Sequence, residues 1–221
     1  MIWAFGDSFT WGHGCRPGWG FTHTDDPIPD YYLKYKKEGD KIWIEWLGEW
    51  FDEEIRNISQ SGASNDKIFD WVLENFEQIK ENDKVIIGMT SWARMDLPID
   101  HSWMSIVSMF EDNGEQILRN QLKRQFVEEK FWDTIINYQY FFSDSPLWKE
   151  RWETRFNFII KELNKKKCQT ISFQIQDPVA SSMQTIWQDS GIYDYHFSFT
   201  GHKRFAEILY KKFTTSTTPL I

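Results

Sequence analysis

The chain begins Met1-Ile2-Trp3-Ala4-Phe5-Gly6-Asp7-Ser8-Phe9-Thr10, an apolar run of strand length that ends in a glycine and two polar residues. Three more short runs rich in β-branched or apolar residues follow it, at 55–59, 85–89 and 170–175. Helical patterns separate these runs, and the alternation of strands with helices is typical of βαβ units. The sequence therefore predicts an α/β fold in which these runs form a parallel sheet.

Apolar residues recur at helical spacing between the predicted strands. A helix from about 64 to 81 is predicted by apolar residues at intervals of four, four and three: Ile68, Val72, Phe76 and Ile79. A longer helix is predicted to begin at Ser145-Pro146, an N-cap followed by a proline at the first helical position. The last helix is predicted over 201–213, with Ser198 and Thr200 as candidate caps.

The length of 221 residues suits one ordinary domain with a substantial core. We expect a single domain over 1–221. The interval from 94 to 144 is longer than a strand-to-helix crossover needs, and its second half has helical periodicity. We interpret this interval as an insertion or a lid.

The charge balance bears on the choice of partners. Acidic residues outnumber basic ones by 33 to 25, and the formal charge of -8 should repel polyanions, which argues against nucleic acid. No apolar run approaches the roughly 20 residues that span a bilayer, and no basic segment followed by an apolar one opens the chain. We expect a soluble protein without a membrane span or a Sec signal.

Residue types that bind metals are scattered in this sequence. Cys15 and Cys168 lie far apart and form no Cys-x-x-Cys pair, so neither a disulfide framework nor a zinc site is indicated. His13, His23 and His101 lack the short spacings of metal ligands. We expect no bound metal and no cofactor.

Two short segments near opposite ends of the chain carry residues with hydrolytic chemistry. Ser8 directly follows the first predicted strand, and open α/β sheets bind ligands at the carboxyl ends of their strands. A hydroxyl nucleophile needs an adjacent base, and a carboxylate holds that base in one tautomer. Asp194-Tyr195-His196 offers both groups in a loop before the final helix. Taken singly, each segment also fits an ordinary turn serine or loop histidine.

Together, these segments resemble the SGNH/GDSL hydrolase family, whose first block reads Gly-Asp-Ser and whose last block pairs an aspartate with a histidine before Gly-His and a helix. The matching residues run from Gly6 to His202 and span most of the chain. The resemblance implies a three-layer α/β/α sandwich with a parallel sheet in flavodoxin-like order. It also implies a serine esterase, in which Ser8 attacks the acyl carbon, His196 takes the proton and Asp194 orients the histidine.

An oxyanion hole needs fixed hydrogen-bond donors aimed at developing negative charge. By the same resemblance, the backbone N–H groups of Ser8 and Gly62 supply two donors, since Gly62 lies in the Ser/Asn-rich turn that matches the family's second block. The third block, Gly-x-Asn-Asp in the family, reads Gly88-Met89-Thr90-Ser91 here. Thr90 occupies the asparagine position and donates with a shorter reach, or Asn65 in the neighbouring loop takes its place; the sequence leaves both open.

The last block departs from the family pattern, because Asp194 precedes His196 by two positions where three are usual. This spacing resembles branches related to the alginate O-acetyltransferases and favours acyl chemistry on carbohydrates. The pairing of Gly-Asp-Ser-Phe-Thr with Gly-x-Thr-Ser resembles uncharacterised proteins of tailed phages. If the chain is phage-encoded, this resemblance implies a virion-associated sugar deacetylase; otherwise we expect a cytoplasmic protein.

The sequence thus predicts an esterase that cleaves an O-acyl group, foremost acetyl on a carbohydrate, from a small ester or an acylated polysaccharide. Trp11, Trp19 and Trp92 lie beside the first and third blocks, where their rings can stack on sugars. The alternative is a catalytically weak module of the same fold that binds carbohydrate or builds a virion. The joint presence of the three triad residues favours the enzyme, and the oligomeric state is left open.

Overall fold

The computed structural model describes residues 1–13, 15–17, 28, 37–90, 94–99, 102–106, 114–124, 127–143, 145–174 and 196–215. Within them the strands are β1 (Ile2–Gly6), β2 (Ile55–Ser59), β3 (Lys84–Met89), β4 (Met95–Ile99), β5 (Ser102–Ile106) and β6 (Gln169–Gln174). The helices are α1 (Ser8–Trp11), α2 (Trp43–Phe51), α3 (Asn65–Glu74), α4 (Gly114–Arg124), α5 (Trp132–Ser143), α6 (Pro146–Lys165) and α7 (Phe199–Thr215), with a 3₁₀ turn at Glu129–Phe131.

Four strands form the main sheet, all parallel, in the order β2-β1-β3-β6. The register places Gly6 beside Ser59 of β2 and beside Gly88 of β3, so the carboxyl ends of these strands lie at one edge. The strand order reverses around β1, and open parallel sheets bind ligands at such a reversal. The α/β fold and the flavodoxin-like strand order predicted from the sequence are confirmed.

Helices cover both faces of the sheet, because β1 sends apolar side chains to both sides. Ile2 and Ala4 pack in one core with α2 and α7, whereas Trp3 and Phe5 pack in a second core with α3 and α6. Successive side chains of a strand point to opposite faces, and a strand buried on both faces has an unbroken apolar sequence. The result is the predicted three-layer sandwich.

The α3 helix ends at Glu74, so the prediction of a helix to 81 was wrong at that end. Asn75 ends it, because its side-chain Nδ2 donates to the carbonyl of Trp71 over 2.8 Å and competes with further helical bonds. Ile79 is still buried in the core. The apolar spacing therefore followed burial beyond the last turn of the helix.

The α7 helix begins and ends two residues outside the predicted range of 201–213. The Ser198 hydroxyl accepts a hydrogen bond from the backbone N–H of Gly201 over 3.1 Å, which confirms Ser198 as a cap. Thr200 lies inside the first turn and does not precede the helix. The cap fixes the direction of the segment just before it, which contains His196.

The interval from 94 to 144 contributes elements that lie outside the main sheet. Strands β4 and β5 form an antiparallel pair, which the sequence did not predict. The α4 helix matches the predicted helical periodicity, with Leu118 and Leu122 buried. A lid function for this interval stays a prediction. Among the described helices, none combines the length and apolar character that a membrane crossing requires.

Candidate active site

Ser8 is the first residue of α1 and follows β1 at the carboxyl edge of the sheet. The turn is tight: a Cβ on Gly6 would lie 2.9 Å from the carbonyl oxygen of Gly88 and closer still to the Thr10 side chain, so only glycine fits there. The Asp7 carboxylate caps α1 by accepting the N–H of Phe9 over 3.1 Å. Backbone contacts and this cap hold Ser8, which is 5% exposed, in a fixed place.

His196, from the far end of the sequence, packs against the segment that begins with Ser8. Its ring centroid lies 4.8 Å from that of Phe9 and 4.6 Å from that of His13. The backbone N–H of His13 donates to the carbonyl of Ser8 over 2.9 Å, so both ring contacts come from residues adjacent to the serine in structure. The fold therefore brings the predicted base to the segment of the predicted nucleophile.

Other predicted site residues lie outside the described residues. These are the carboxylate partner Asp194 and the stacking residues Trp19 and Trp92. Trp11 is described, but it is 3% exposed, and the Arg16 guanidinium lies 4.4 Å from its ring centroid. The prediction that Trp11 stacks on a sugar needs an open ring face, and this buried ring presents none.

Asn65 and Thr90, the alternative oxyanion donors, are bonded to each other. The Asn65 side chain donates from Nδ2 to the Thr90 carbonyl over 3.0 Å and accepts the Thr90 N–H at Oδ1 over 2.9 Å. Gln174 also donates to the Thr90 carbonyl, over 3.0 Å. Asn65 is thus a clamp on the backbone that follows β3, and its amide has a second N–H that this pairing does not use.

The Thr90 hydroxyl interacts with Asp7. Burial raises the pKa of Asp7 above its ordinary value of 3.8, and the Arg94 charge, the Phe9 N–H, the His196 charge and hydrogen bonding with the Thr90 side chain act to lower it. Thr90 is 5% exposed. This hydrogen bond with the carboxylate that precedes Ser8 uses the hydroxyl that the sequence offered, alongside Asn65, as a candidate oxyanion donor.

Arg94 is a site residue that sequence reasoning missed. Its Nη1 lies 3.7 Å from Oδ2 of Asp7, and its side chain is 15% exposed. The only indication in the sequence was that Arg94 lies close after β3. This position points to the site only because β3 pairs with β1, which leads to Ser8. A positive charge therefore lies next to the residue that precedes Ser8.

His13 connects α1 to the loop that carries Gly62. The Nδ1 atom of His13 lies 2.9 Å from the Ser61 hydroxyl oxygen, which is a hydrogen bond. Gly62 has a φ of 82°, a left-handed conformation that favours glycine, and no heavy atom within 4 Å of where a Cβ would lie. The predicted backbone donor of Gly62 is thus on a loop tied to the segment of Ser8.

His202 is a second buried histidine near the site. Burial, together with the charge of His196, lowers its pKa from 6.5 to about 3, so it is neutral in ordinary buffers. Its ring packs edge-on against Phe197 at 5.3 Å between centroids. These contacts fit its interpretation as a packing residue. In the described part of the chain, no three His, Cys, Asp or Glu side chains come together as a metal site.

Comparisons with known proteins give structural similarity only. No family model matches the chain, and no curated protein matches it. A lipolytic protein of the G-D-S-L family from Desulfitobacterium hafniense DCB-2 is similar with a TM-score of 0.44 and 12% identity, covering 94% of this chain and 96% of that one. Two structures of an acetyl xylan esterase from Geobacillus stearothermophilus, both of substituted variants, are similar at 12% identity, with TM-scores of 0.35 and 0.36. They cover 98% and 97% of this chain and 95% and 94% of theirs.

Proposed function

We propose that the protein is a serine esterase, with Ser8 as nucleophile, His196 as base and Asp194 as the residue that orients the base. The observation that carries the proposal is the contact of His196 with Phe9 and His13. A histidine from the loop before the last helix thereby reaches a serine segment at the reversal point of the sheet. An activated serine needs such a neighbouring base.

In the proposed reaction, the Ser8 oxygen bonds to the acyl carbon, its proton passes to the imidazole of His196, and the carbonyl electron pair moves onto oxygen. When that pair returns, the bond to the alcohol breaks and the alcohol leaves with the proton from His196. Water then attacks the acyl-enzyme by the same steps and releases the carboxylic acid. Backbone N–H groups of Ser8 and Gly62, with the second N–H of Asn65, are the proposed oxyanion donors.

The proposed substrate is an O-acetyl group on a carbohydrate. The Asp194-x-His196 spacing supports this choice by its resemblance to enzymes that move acetyl groups on sugars. Trp19 and Trp92 are the proposed stacking residues, because a sugar ring binds well against an exposed aromatic face.

The test is hydrolysis of p-nitrophenyl acetate and acetylated xylan by wild type, Ser8→Ala and His196→Ala. Wild type should release nitrophenol and acetate, and both variants should lose turnover while keeping the circular dichroism of wild type. A fluorophosphonate probe should label Ser8, identified by mass spectrometry of the modified peptide. Labelling of another serine, or equal turnover by Ser8→Ala, would refute the nucleophile.

The alternative of a catalytically weak carbohydrate-binding or virion module is favoured by one observation, the commitment of the Thr90 hydroxyl to Asp7. That contact leaves the asparagine position without its usual donor. The alternative predicts that wild type binds acetylated xylan without turnover, and that Thr90→Asn does not create turnover.

A further inference from the structure

Arg94 has buried hydrogen-bond donors that lack acceptors. Among the described residues, neither its Nε nor its Nη1 has a hydrogen-bond partner, and both atoms are shielded from solvent. Buried donors are nearly always paired in folded proteins, and each unpaired one costs free energy. Two such donors make this arginine a candidate to bind an acceptor that the described residues do not supply.

Asp7 does not satisfy this guanidinium. The separation of 3.7 Å between Nη1 and Oδ2 is an ion pair without a hydrogen bond. A satisfied arginine–carboxylate pair makes two parallel bonds of about 2.7–2.9 Å. The Asp7 carboxylate already receives the N–H of Phe9 and interacts with the Thr90 hydroxyl. Arg94 therefore keeps donors for another anion while its charge is held in place by Asp7.

The position of Arg94 relates these donors to the candidate active site. Asp7 is the residue before Ser8, and the charges of Arg94 and His196 both act on it. The Thr90 hydroxyl is committed to Asp7, and the Asn65 amide is largely used by the Thr90 backbone. The side-chain donors that the sequence predicted for the oxyanion are thus mostly occupied, whereas Nε and Nη1 of Arg94 are not.

We propose that Arg94 binds the negative charge that forms on the ester oxygen when Ser8 attacks. This inference rests on the proposed esterase function. As the bond between the Ser8 oxygen and the acyl carbon forms, the carbonyl electron pair moves onto oxygen, and a guanidinium N–H donates to it. When the pair returns and the alcohol leaves, this hydrogen bond weakens. No bond to Arg94 forms or breaks, and the serine proton still passes to His196.

Steady-state kinetics on p-nitrophenyl acetate test the proposal, because this ester carries no other negative charge. Arg94→Met should lower kcat about 100- to 1000-fold, the effect of removing one oxyanion donor, with KM changed less than about threefold. Arg94→Lys, which keeps the charge but not the planar fork, should recover part of the loss. The matched control is Arg119→Met, which removes a partly exposed arginine paired with Glu115 and Asp133 and should keep wild-type kcat.

A parallel series on p-nitrophenyl hemisuccinate separates the two sources of negative charge. If Arg94→Met raises KM for the hemisuccinate and leaves kcat on the acetate unchanged, Arg94 binds a substrate carboxylate, and the oxyanion proposal is overturned.

Equilibrium binding of methylphosphonate provides a readout without turnover. This anion has the methyl group and tetrahedral oxygens of the acetyl intermediate. By calorimetry in the Ser8→Ala background, Arg94→Met should weaken it about tenfold or more, whereas Asp7→Asn should strengthen it, because the competing carboxylate is gone. Asp7→Asn also retains the cap of α1, since an asparagine oxygen accepts the same N–H.

The outcomes separate failure of the inference from failure of the proposed function. Wild-type turnover that depends on Ser8 but not on Arg94 overturns the inference alone. A protein without turnover whose methylphosphonate binding depends on Arg94 refutes the esterase and leaves an anion site. If Arg94→Met does not fold, the other two variants test the inference. It is overturned if Arg94→Lys keeps the kcat of wild type and Asp7→Asn binds methylphosphonate more weakly.

Discussion

Asn65→Ala separates the role of this residue as a backbone clamp from its proposed role as an oxyanion donor. Asn65 is 3% exposed and makes two hydrogen bonds with the Thr90 backbone. The substitution leaves the Thr90 N–H without its partner, whereas the Thr90 carbonyl keeps the bond from Gln174. One unsatisfied buried donor costs about 1–3 kcal/mol. We expect the free energy of unfolding to fall by about 2 kcal/mol.

This loss should lower Tm by roughly 4–8 °C for a domain of this length. Domains have free energies of unfolding of about 5–15 kcal/mol, so the variant stays folded at assay temperature. A fall in kcat then does not come from global unfolding. We expect kcat on p-nitrophenyl acetate to fall about 100-fold or more if the second Asn65 N–H donates to the oxyanion.

The measurements are urea unfolding, thermal melting and steady-state kinetics, with Asn75→Ala as the matched control. Asn75 also donates from a side-chain amide to a backbone carbonyl, but at the end of α3 away from the site, so its loss should lower stability without changing kcat. A change in unfolding free energy below about 0.5 kcal/mol for Asn65→Ala would refute the clamp. A destabilised variant with wild-type kcat would refute the donor role.

Three further outcomes are expected. Thr90→Val should lower kcat less than about tenfold, because the Thr90 hydroxyl bonds to Asp7. A loss of about 100-fold would indicate that this hydroxyl donates to the oxyanion instead. Asp194→Asn should keep the fold and lower kcat by orders of magnitude, and near-normal turnover would make Asp194 a turn residue. His202 is neutral in the fold, with its pKa lowered from 6.5 to about 3, so it adds stability above pH 6.5 that is lost as the pH falls toward 3. His202→Leu should remove up to about 1.4 kcal/mol per pH unit of this acid sensitivity. Urea unfolding of wild type and of the variant at pH 7 and pH 5 measures it, and an equal fall in the free energy of unfolding for both proteins would contradict this role of His202.

The fold was largely predictable because the two central strands, β1 and β3, are buried on both faces. Such strands have continuous apolar sequences, and β1 was found from its sequence alone. Helix ends were less predictable, since they depend on single side-chain bonds such as those of Asn75 and Ser198. Apolar periodicity records burial, and Ile79 shows that burial continues where the helix has ended.

Residues of the candidate site could be predicted only where they lie in a short, recognisable sequence motif. Ser8 and His196 were identified from their local motifs, and the fold brings their segments together. Arg94 and Asp7 form a pair between loops that follow β1 and β3, so their contact depends on strand order and on the path of the chain after β3. Thr90 lies just after β3, but the partner of its hydroxyl is Asp7, which follows a different strand.

The Asp7–Arg94 pair gives a physical reason for a buried acid next to Ser8, the proposed nucleophile. The carboxylate caps α1 and so fixes Ser8 at its first position. Alone, an ionised Asp7 would oppose negative charge on a bound ester, because the low dielectric of a buried site strengthens repulsion. Arg94 is the largest influence that holds the pKa of Asp7 down against burial. The positive charge of Arg94 also offsets the negative charge of Asp7. Asp7 can therefore cap α1 without repelling negative charge on a bound ester.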